Sequence, residues 1–360
     1  MHADRAEKPR LRGAYTLLAA VIVAVLACAV APAAALAAPP KSAPTRSTAG
    51  DLVEIRGISY LSTAAFAKRH GLKMAWISAG RRIALVGAND RVELEVDARE
   101  AKVNGLRIFL GEPARLYRRS LYLSRTDAER LIGPMVQPTS IKADPGPVRV
   151  VALDPGHGGR DSGKVNQKLK VFEKTITLDV ANRTKRLLEA AGFKVVLTRS
   201  DDRFVELDDR PALAARAGAD VFVSIHFNAV EKRADQVTGV EVFSLTPRYQ
   251  YSTDDYNREA TTQAREVNPG NRSDPWNALL AYRLHKQLLG ELKVPDRGHK
   301  RARFKVLRLI SCPAVLVEAG YLSNDGEARK AATPAYRQKV ADALAEGIIA
   351  YAADVRRARN

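Results

Sequence analysis

Three short apolar runs in the C-terminal two-thirds of the chain each lead to a polar residue able to bind a metal or transfer a proton. The runs begin at Val150, Val223 and Val315 and lead to His157, His226 and Glu318. Apolar, β-branched runs of this length are typical of strands buried in a parallel sheet. Since ligands collect at the carboxyl ends of such strands, we expect the three side chains to meet. Glu173 should join them from the first turn of a helix.

These residue types suit a catalytic zinc ion. Two imidazoles and a carboxylate are a known ligand set that leaves one position for water, and a second carboxylate can act as general base and acid. On this interpretation His157, Glu173 and His226 hold the metal and Glu318 transfers the proton. The alternative is structural, because strand-end histidines often only pack and a first-turn glutamate suits the helix dipole. Glu318 fits that alternative less well, since a carboxylate after an apolar run is costly without a partner.

Helical and extended patterns alternate in this part of the chain. Residues 173–191 place apolar side chains along one helical stripe, and Gly192 follows as a C-cap signal. Further strands are predicted over 193–197, 220–225 and 239–245, and further helices over 277–292 and after Thr333. The pattern predicts an α/β domain over 148–357, with a mainly parallel sheet and helices on both faces.

Short motifs recur in a fixed order between about residues 148 and 351. They are Leu153–Gly159, Asp161–Gly163, Glu173–Lys174, Leu178–Asp179, Val196–Arg199, Asp208–Arg210, Ser224–Ala229, Gly239–Val242, Asp296–Gly298, Pro313–Gly320 and Leu322–Asn324. Together they resemble the type 3, zinc-dependent N-acetylmuramoyl-L-alanine amidases, over more than half of the chain. The resemblance implies a zinc amidase fold and hydrolysis of the amide between N-acetylmuramic acid and L-alanine in peptidoglycan. Cell-wall remodelling, daughter-cell separation or wall turnover would be its setting.

The resemblance also implies roles for individual residues. The zinc ligands of the family fall on His157, Glu173 and His226, with one ion per chain, and its catalytic glutamate falls on Glu318. Asn228 and Arg210 lie within the motifs and are expected to contact substrate. A catalytically silent wall-binding or regulatory relative is the alternative, but it should have lost one of these groups. All four are present, so we expect an enzyme.

Two features depart from the family pattern. His299 follows the Arg-Gly pair of the Asp296–Gly298 motif; it is a candidate for substrate binding, although a surface position is the simpler expectation. A polar insertion spans 246–276, and long loops of this kind are often lids or binding loops. It could cover the site until a protein activator moves it, and a solvated loop is the alternative. The acidic side chains that could reach the zinc are Asp254, Asp255, Glu259, Glu266 and Asp274.

The first residues predict export. Basic residues between Arg5 and Arg12 precede the apolar run Ala14–Val30, and small residues follow at 35–38. This is typical of a signal peptide over 1–38, cleaved near Ala37 or Ala38. Retention as a membrane anchor and lipidation at Cys28 are the alternatives. Each places the protein in the periplasm or cell envelope.

The mature chain would keep one cysteine, Cys312, which we expect to be a small buried hydrophobe. The net charge of +18 favours polyanionic partners, here anionic wall polymers or a membrane surface. No nucleic-acid motif accompanies the charge, and export argues against such a partner.

Between the signal peptide and the α/β domain lie three further segments. Residues 39–50 are rich in Pro, Ala and Ser, as in a linker, and 140–147 form a predicted hinge. Residues 51–139 alternate apolar and polar side chains between turn signals, which predicts a small β-rich (α+β) module. This module loosely resembles the β-rich N-terminal domain of copper amine oxidases. Its one candidate ligand is His70, so we expect no metal there; its role is wall binding, packing against the α/β domain, or spacing.

Overall fold

The computed structural model describes residues 47–48, 51–255 and 262–360. The predicted signal peptide and nearly all of the linker lie outside the described residues. Ser42–Asn360 group as one compact unit. Within the described ranges, none of the helices has the length and apolar character that spanning a membrane requires.

The N-terminal part is built mainly of strands, as predicted. They are β1 (Ser47–Thr48), β2 (Leu52–Ile55), β3 (Ile58–Ser62), β4 (Lys73–Ser78), β5 (Arg82–Val86), β6 (Arg91–Glu95), β7 (Glu100–Val103), β8 (Leu106–Phe109), β9 (Arg115–Tyr117) and β10 (Ser120–Ser124). The helices are α1 (Thr63–Arg69), α2 (Arg125–Asp127), a π-helix (Ala128–Ile132), α3 (Gly133–Val136) and a 3-10 turn (Pro138–Ser140). Strands β1, β2, β3, β10 and β9 form an antiparallel sheet, and β4–β8 form an antiparallel meander.

The C-terminal part alternates strands and helices. Its strands are β11 (Val150–Pro155), β12 (Val165–Asn166), β13 (Val171–Phe172), β14 (Lys194–Leu197), β15 (Val221–Asn228), β16 (Val240–Leu245), β17 (Asp296–Ala302) and β18 (Ala314–Tyr321). Its helices are α4 (Glu173–Ala190), α5 (Asp209–Arg216), α6 (Asp274–Leu292), α7 (Lys305–Leu309), α8 (Asp325–Ala331) and α9 (Pro334–Arg359). The 3-10 turns Thr253–Asp255, Thr262–Arg265 and Pro269–Ser273 lie between β16 and α6.

The strands of this part form a mixed, mainly parallel sheet. The order is β14-β11-β15-β18-β16-β17, and the β16–β18 pair alone is antiparallel among them. Apolar side chains cover both faces because neighbouring residues of a strand point to opposite sides. In β11, Val151 and Leu153 belong to the core shared with α4, α6 and α9, whereas Ala152 packs with residues of α5 and α7. The predicted α/β fold with helices on both faces is confirmed.

The same sheet continues into the N-terminal part. His299 in β17 pairs in parallel with Ile108 in β8, and this pairing joins the meander to the mixed sheet. The combined sheet has eleven strands in the order β14-β11-β15-β18-β16-β17-β8-β7-β6-β5-β4. Arg301 reinforces this junction, because its guanidinium lies 2.9 Å from the carboxylate of Asp127 and both side chains are buried. The division at a 140–147 hinge stays a prediction, as does the likeness of residues 51–139 to the copper amine oxidase domain. Strands β4–β8, before the predicted hinge, share one sheet with six strands that follow it.

Candidate active site

His157 lies in the loop that follows β11, at the carboxyl edge of the parallel strands. Its backbone has a positive φ of 63°, a conformation in which non-glycine residues are uncommon. Two neighbouring glycines leave room for the site. A Cβ on Gly156 would lie 2.2 Å from the ring of His226, and one on Gly163 would lie 2.5 Å from the ring of His157. These glycines therefore permit side chains from distant segments to approach closely.

Glu173, the first residue of α4, joins the two histidines. Its Oε1 lies 3.0 Å from Nε2 of His157 and 3.0 Å from Nδ1 of His226. The same oxygen accepts the backbone N–H of Phe227, and Oε2 accepts that of Lys164. The two imidazole rings meet edge to face with centroids 4.9 Å apart. The sequence prediction that these three side chains converge is confirmed.

The three residues fit a divalent metal ion. One ligand atom from each lies within 4.8 Å of the other two, and two nitrogens with one carboxylate oxygen are a set that zinc prefers. Burial opposes ionisation of Glu173, but its hydrogen bonds with His157 and His226 hold its pKa well below the ordinary value. The carboxylate is therefore ready to bind a cation. Nδ1 of His157 lies 2.8 Å from Oδ2 of Asp161, the kind of contact that orients a ligand ring.

Glu318 lies on β18, the strand next to β15, with His226 as its register partner. Its Oε2 is buried and has no hydrogen-bond partner in the described part of the chain. Burial raises the pKa of Glu318 well above its ordinary value, and the negative charges of Glu173 and Glu241 add to this effect. A carboxyl group that readily holds a proton thus lies in the same cavity as the two histidines.

Glu241 lies behind Glu318, on β16. The two glutamates are register partners across the antiparallel β16–β18 pair. Glu241 is buried; its carboxylate lies 2.5 Å from Nζ of Lys300 and accepts hydrogen bonds from Tyr321 and Asn228. The ion pair with Lys300 compensates a charge that would be costly inside the protein. Nothing in the motif Gly239–Val242 alone predicted that this glutamate would lie beside Glu318.

The three candidate substrate residues have different surroundings. Asn228 lines the cavity, but its amide group is held by Glu241 and by the N–H of Ala229. Arg210 is buried, and its guanidinium donates to Asp154 and to the carbonyls of Pro155 and His157. It holds the loop carrying His157, which is a supporting role, although the cavity reaches it.

His299 is 0% exposed and its Nε2 lies 2.8 Å from the hydroxyl of Ser244. The expected surface position is therefore wrong, and its burial inside the sheet keeps it from substrate. The local motif gave no sign of this, because the burial comes from the neighbouring strand β8.

The cavity itself has a volume of about 720 Å³. Its lining includes residues that the sequence analysis did not single out: Lys164, Phe204, Val205, Glu206, Leu207, Phe304, Lys305 and Val306. Lys164 immediately precedes β12, residues 204–207 lie in the loop after β14, and residues 304–306 lie between the end of β17 and the first turn of α7. The sequence signal that could have identified these lining residues is the position of most of them in segments that follow the carboxyl ends of strands.

The described residues of the 246–276 insertion contact other regions. Gln250 is buried; it accepts a hydrogen bond from Arg301 and lies close to the hydroxyl of Ser124 in the N-terminal part. Asp274 pairs with Arg130, and Glu266 pairs with Arg308. None of the described residues between 246 and 276 lines the cavity. The expectation that Asp254, Glu266 or Asp274 could reach the metal is wrong, because none of them lines the cavity. Glu259 and the side chain of Asp255 lie outside the described residues.

Cys312 is a free, partly buried thiol that packs against the apolar cluster beneath α5 and α7. Burial raises its pKa to about 12. The predicted role as a small hydrophobe is confirmed.

The sequence of this chain is similar to those of known amidases. Residues 151–350 match the family model described as N-acetylmuramoyl-L-alanine amidase. The chain is 35% identical to the N-acetylmuramoyl-L-alanine amidase AmiA of Escherichia coli K12, over 56% of this chain and 76% of AmiA. It is 36% identical to the uncharacterized protein YqiI of Bacillus subtilis, over 59% of this chain and 90% of YqiI.

Among solved structures, the chain is similar to the amidase AmiC2 of Nostoc punctiforme. The two share 34% identity and a TM-score of 0.46, over 56% of this chain and 96% of AmiC2.

Proposed function

Because the chain belongs to the N-acetylmuramoyl-L-alanine amidase family, we propose that it is a zinc-dependent enzyme that cleaves the amide between N-acetylmuramic acid and L-alanine in peptidoglycan. One observation carries the proposal. Two imidazoles and the Glu173 carboxylate converge in a cavity that also contains the carboxyl group of Glu318.

His157, Glu173 and His226 would hold the zinc ion, which supplies Lewis-acid activation of a water molecule and of the scissile carbonyl. The residues of the chain arrange the rest. Asp161 holds the ring of His157. The backbone N–H groups of Lys164 and Phe227 hold the two carboxylate oxygens of Glu173, so that the ligands need little rearrangement.

Glu318 moves the proton in the proposed reaction. It removes a proton from the attacking water as the water oxygen bonds to the lactyl carbonyl carbon. When the carbon–nitrogen bond breaks, the same carboxyl group donates that proton to the departing amine of L-alanine. A raised pKa suits this double role, since the group must first accept and then release a proton at neutral pH.

Purified intact wall and a soluble muropeptide are the substrates for the test. We expect new free L-alanine amino groups from both substrates, with uncut glycan strands from the wall and an intact sugar half from the muropeptide, identified by mass spectrometry. Chelation should abolish these products, and adding zinc should restore them. Products cut within the glycan or within the stem peptide would contradict the proposed reaction.

We further propose that the protein acts in the periplasm or cell envelope, after export directed by a signal peptide over residues 1–38. The proposed substrate supports this location, and the basic charge of the chain supports contact with anionic wall polymers or a membrane surface. Mass spectrometry of the N-terminus in envelope fractions distinguishes cleavage near Ala37 or Ala38 from lipidation at Cys28. Recovery of the unprocessed chain in the cytoplasm would contradict export.

A protein activator acting on the 246–276 segment also remains a proposal. Two large apolar side chains of this segment are exposed, Tyr249 at 65% and Val267 at 78%, which supports a protein contact there. Since the described residues of the segment do not line the cavity, such a partner would act through its outer surface. Crosslinking from position 249 or 267 in envelope extracts, compared with the exposed position 231, tests the contact.

A further inference from the structure

The cationic side chains that line the active-site cavity differ in their partners. Besides the histidines, these are Lys164, Arg210 and Lys305. The guanidinium of Arg210 lies 2.8 Å from Asp154, and Nζ of Lys305 lies 2.7 Å from Asp208. Lys164 makes no side-chain hydrogen bond or ion pair within residues 51–255 and 262–360. Its ammonium group is therefore free to bind an anion that enters the cavity.

The backbone of Lys164 is fixed beside the metal-binding residues. Its N–H donates to Oε2 of Glu173 at 2.7 Å, and its carbonyl oxygen accepts the N–H of Glu173 at 2.9 Å. The cationic side chain is thus carried on a backbone held beside Glu173, so little conformational freedom besides that of the side chain is lost on binding.

The remainder of the cavity lining combines apolar side chains with five carboxyl groups, those of Asp154, Asp161, Glu173, Glu206 and Glu318. Phe204, Leu207 and Phe304 contribute to it, and Leu207 and Phe304 are also exposed at its margin. A substrate with an uncharged, ring-containing half and an anionic half matches such a lining. On the proposed function, the lactyl carboxyl group of the sugar half is consumed in the scissile amide, so the free carboxylates belong to the peptide half.

We propose that Lys164 is the subsite for a free carboxylate on the peptide half of the substrate, close to the scissile bond. This inference rests on the proposed amidase function and adds a specificity: the enzyme distinguishes stem peptides by whether the second residue bears a carboxylate or a carboxamide. The contact is a charge-assisted hydrogen bond from the ammonium group to the carboxylate.

Two soluble tripeptide probes test the subsite, N-acetylmuramoyl-L-alanyl-γ-D-glutamyl-L-lysine and its D-isoglutaminyl counterpart. The γ-carboxyl group is amide-linked to lysine in both, so that they differ only in the α-carboxylate or α-carboxamide of the second residue. We expect the wild-type zinc enzyme to prefer the carboxylate in kcat/KM by about fivefold, the effect of a partly exposed ion pair, mainly through KM. In Lys164→Met the ratio of the two kcat/KM values should fall to about one, and Lys164→Arg should restore most of it.

Lys168→Met is the matched control. Lys168 is a nearby surface lysine that pairs with Asp325 and does not line the cavity, so its loss should leave the ratio as in the wild type. Zinc content and Tm of each variant show whether the fold and the metal site are kept. Equal rates on both probes in the wild type, or an unchanged ratio in Lys164→Met, would overturn the subsite. Failure to cleave either probe at the lactyl amide would instead contradict the proposed function.

Discussion

His226 and Glu318 are register partners on the neighbouring parallel strands β15 and β18. Side chains of register partners lie on the same face of a sheet, so a candidate metal ligand and the candidate proton-transfer group lie side by side, just before the register of the two strands shifts. Glu241, on the other side of β18, is also a partner of Glu318. The spacing between His226 and Glu318 is therefore determined by strand pairing, which tolerates little adjustment.

Replacing Glu318 with Gln should separate catalysis from metal binding. Because Glu318 is not among the three converging ligands, the variant should keep stoichiometric zinc. Its kcat should fall by about 10²–10⁴-fold, as expected for loss of a general acid–base group. Glu231→Gln, a change at an exposed position, is the control. Zinc loss in Glu318→Gln would make that residue a ligand, and near-normal turnover would mean that another group moves the proton.

Removing both histidines should abolish metal binding. The double variant His157→Ala, His226→Ala leaves Glu173 as the one remaining ligand, which cannot hold zinc by itself. The far-UV circular dichroism should be kept because the sheet core is apolar, although Tm falls since the buried Glu173 loses both partners. His70→Ala, outside the site, should keep its zinc. Retention of stoichiometric zinc by the double variant, measured by atomic emission, is the result that would reject this ligand set.

The contact between Asp161 and His157 should contribute to metal affinity. Asp161→Asn removes a carboxylate that orients the ring, and such changes commonly weaken metal binding about 10–100-fold. Competition with a chromogenic chelator measures the apparent Kd for zinc. An unchanged Kd would show that the backbone alone positions His157.

The junction between β17 and the N-terminal part should be essential to stability. Arg301 and Asp127 form a buried ion pair, and Asp127 also accepts the N–H groups of Gly111 and Glu112. Arg301→Met leaves that carboxylate uncompensated, which should cost about 3–5 kcal/mol of unfolding free energy in denaturant titrations. Arg303→Met, the same substitution two residues further along the chain, leaves the Arg301–Asp127 ion pair in place. Its unfolding free energy is compared with that of Arg301→Met. A loss below about 1 kcal/mol in Arg301→Met would mean that the N-terminal part does not depend on this pair.

Glu112 should make stability depend on pH. Burial, with a smaller contribution from Asp127, raises its pKa from 4.5 to about 7. The folded state therefore holds a proton that the unfolded chain releases above pH 4.5, so the contribution of Glu112 destabilises the fold progressively as pH rises towards 7. Glu112→Gln should match the wild type near pH 4 and become more stable than it above pH 7. Thermal unfolding across this range tests the sign; a variant advantage that is the same at every pH would contradict it.

Much of the catalytic site could be predicted from the sequence alone. Apolar runs that end in a histidine or glutamate determine which residues form buried strands and which side chains lie at their ends, since alternation and burial are local properties of the chain. The convergence of His157, Glu173, His226 and Glu318 follows from that pattern and from the shared edge of parallel strands.

Tertiary structure decided the surroundings of these residues. The burial of His299 depends on β8, which lies almost two hundred positions earlier; the pairing of Arg210 with Asp154 depends on where α5 packs. That Lys164 has no side-chain partner among the described residues, whereas Lys305 pairs with Asp208, depends on which segments meet at the cavity. A local pattern encodes how buried a residue should be, but which residue it meets depends on contacts between segments far apart in the chain.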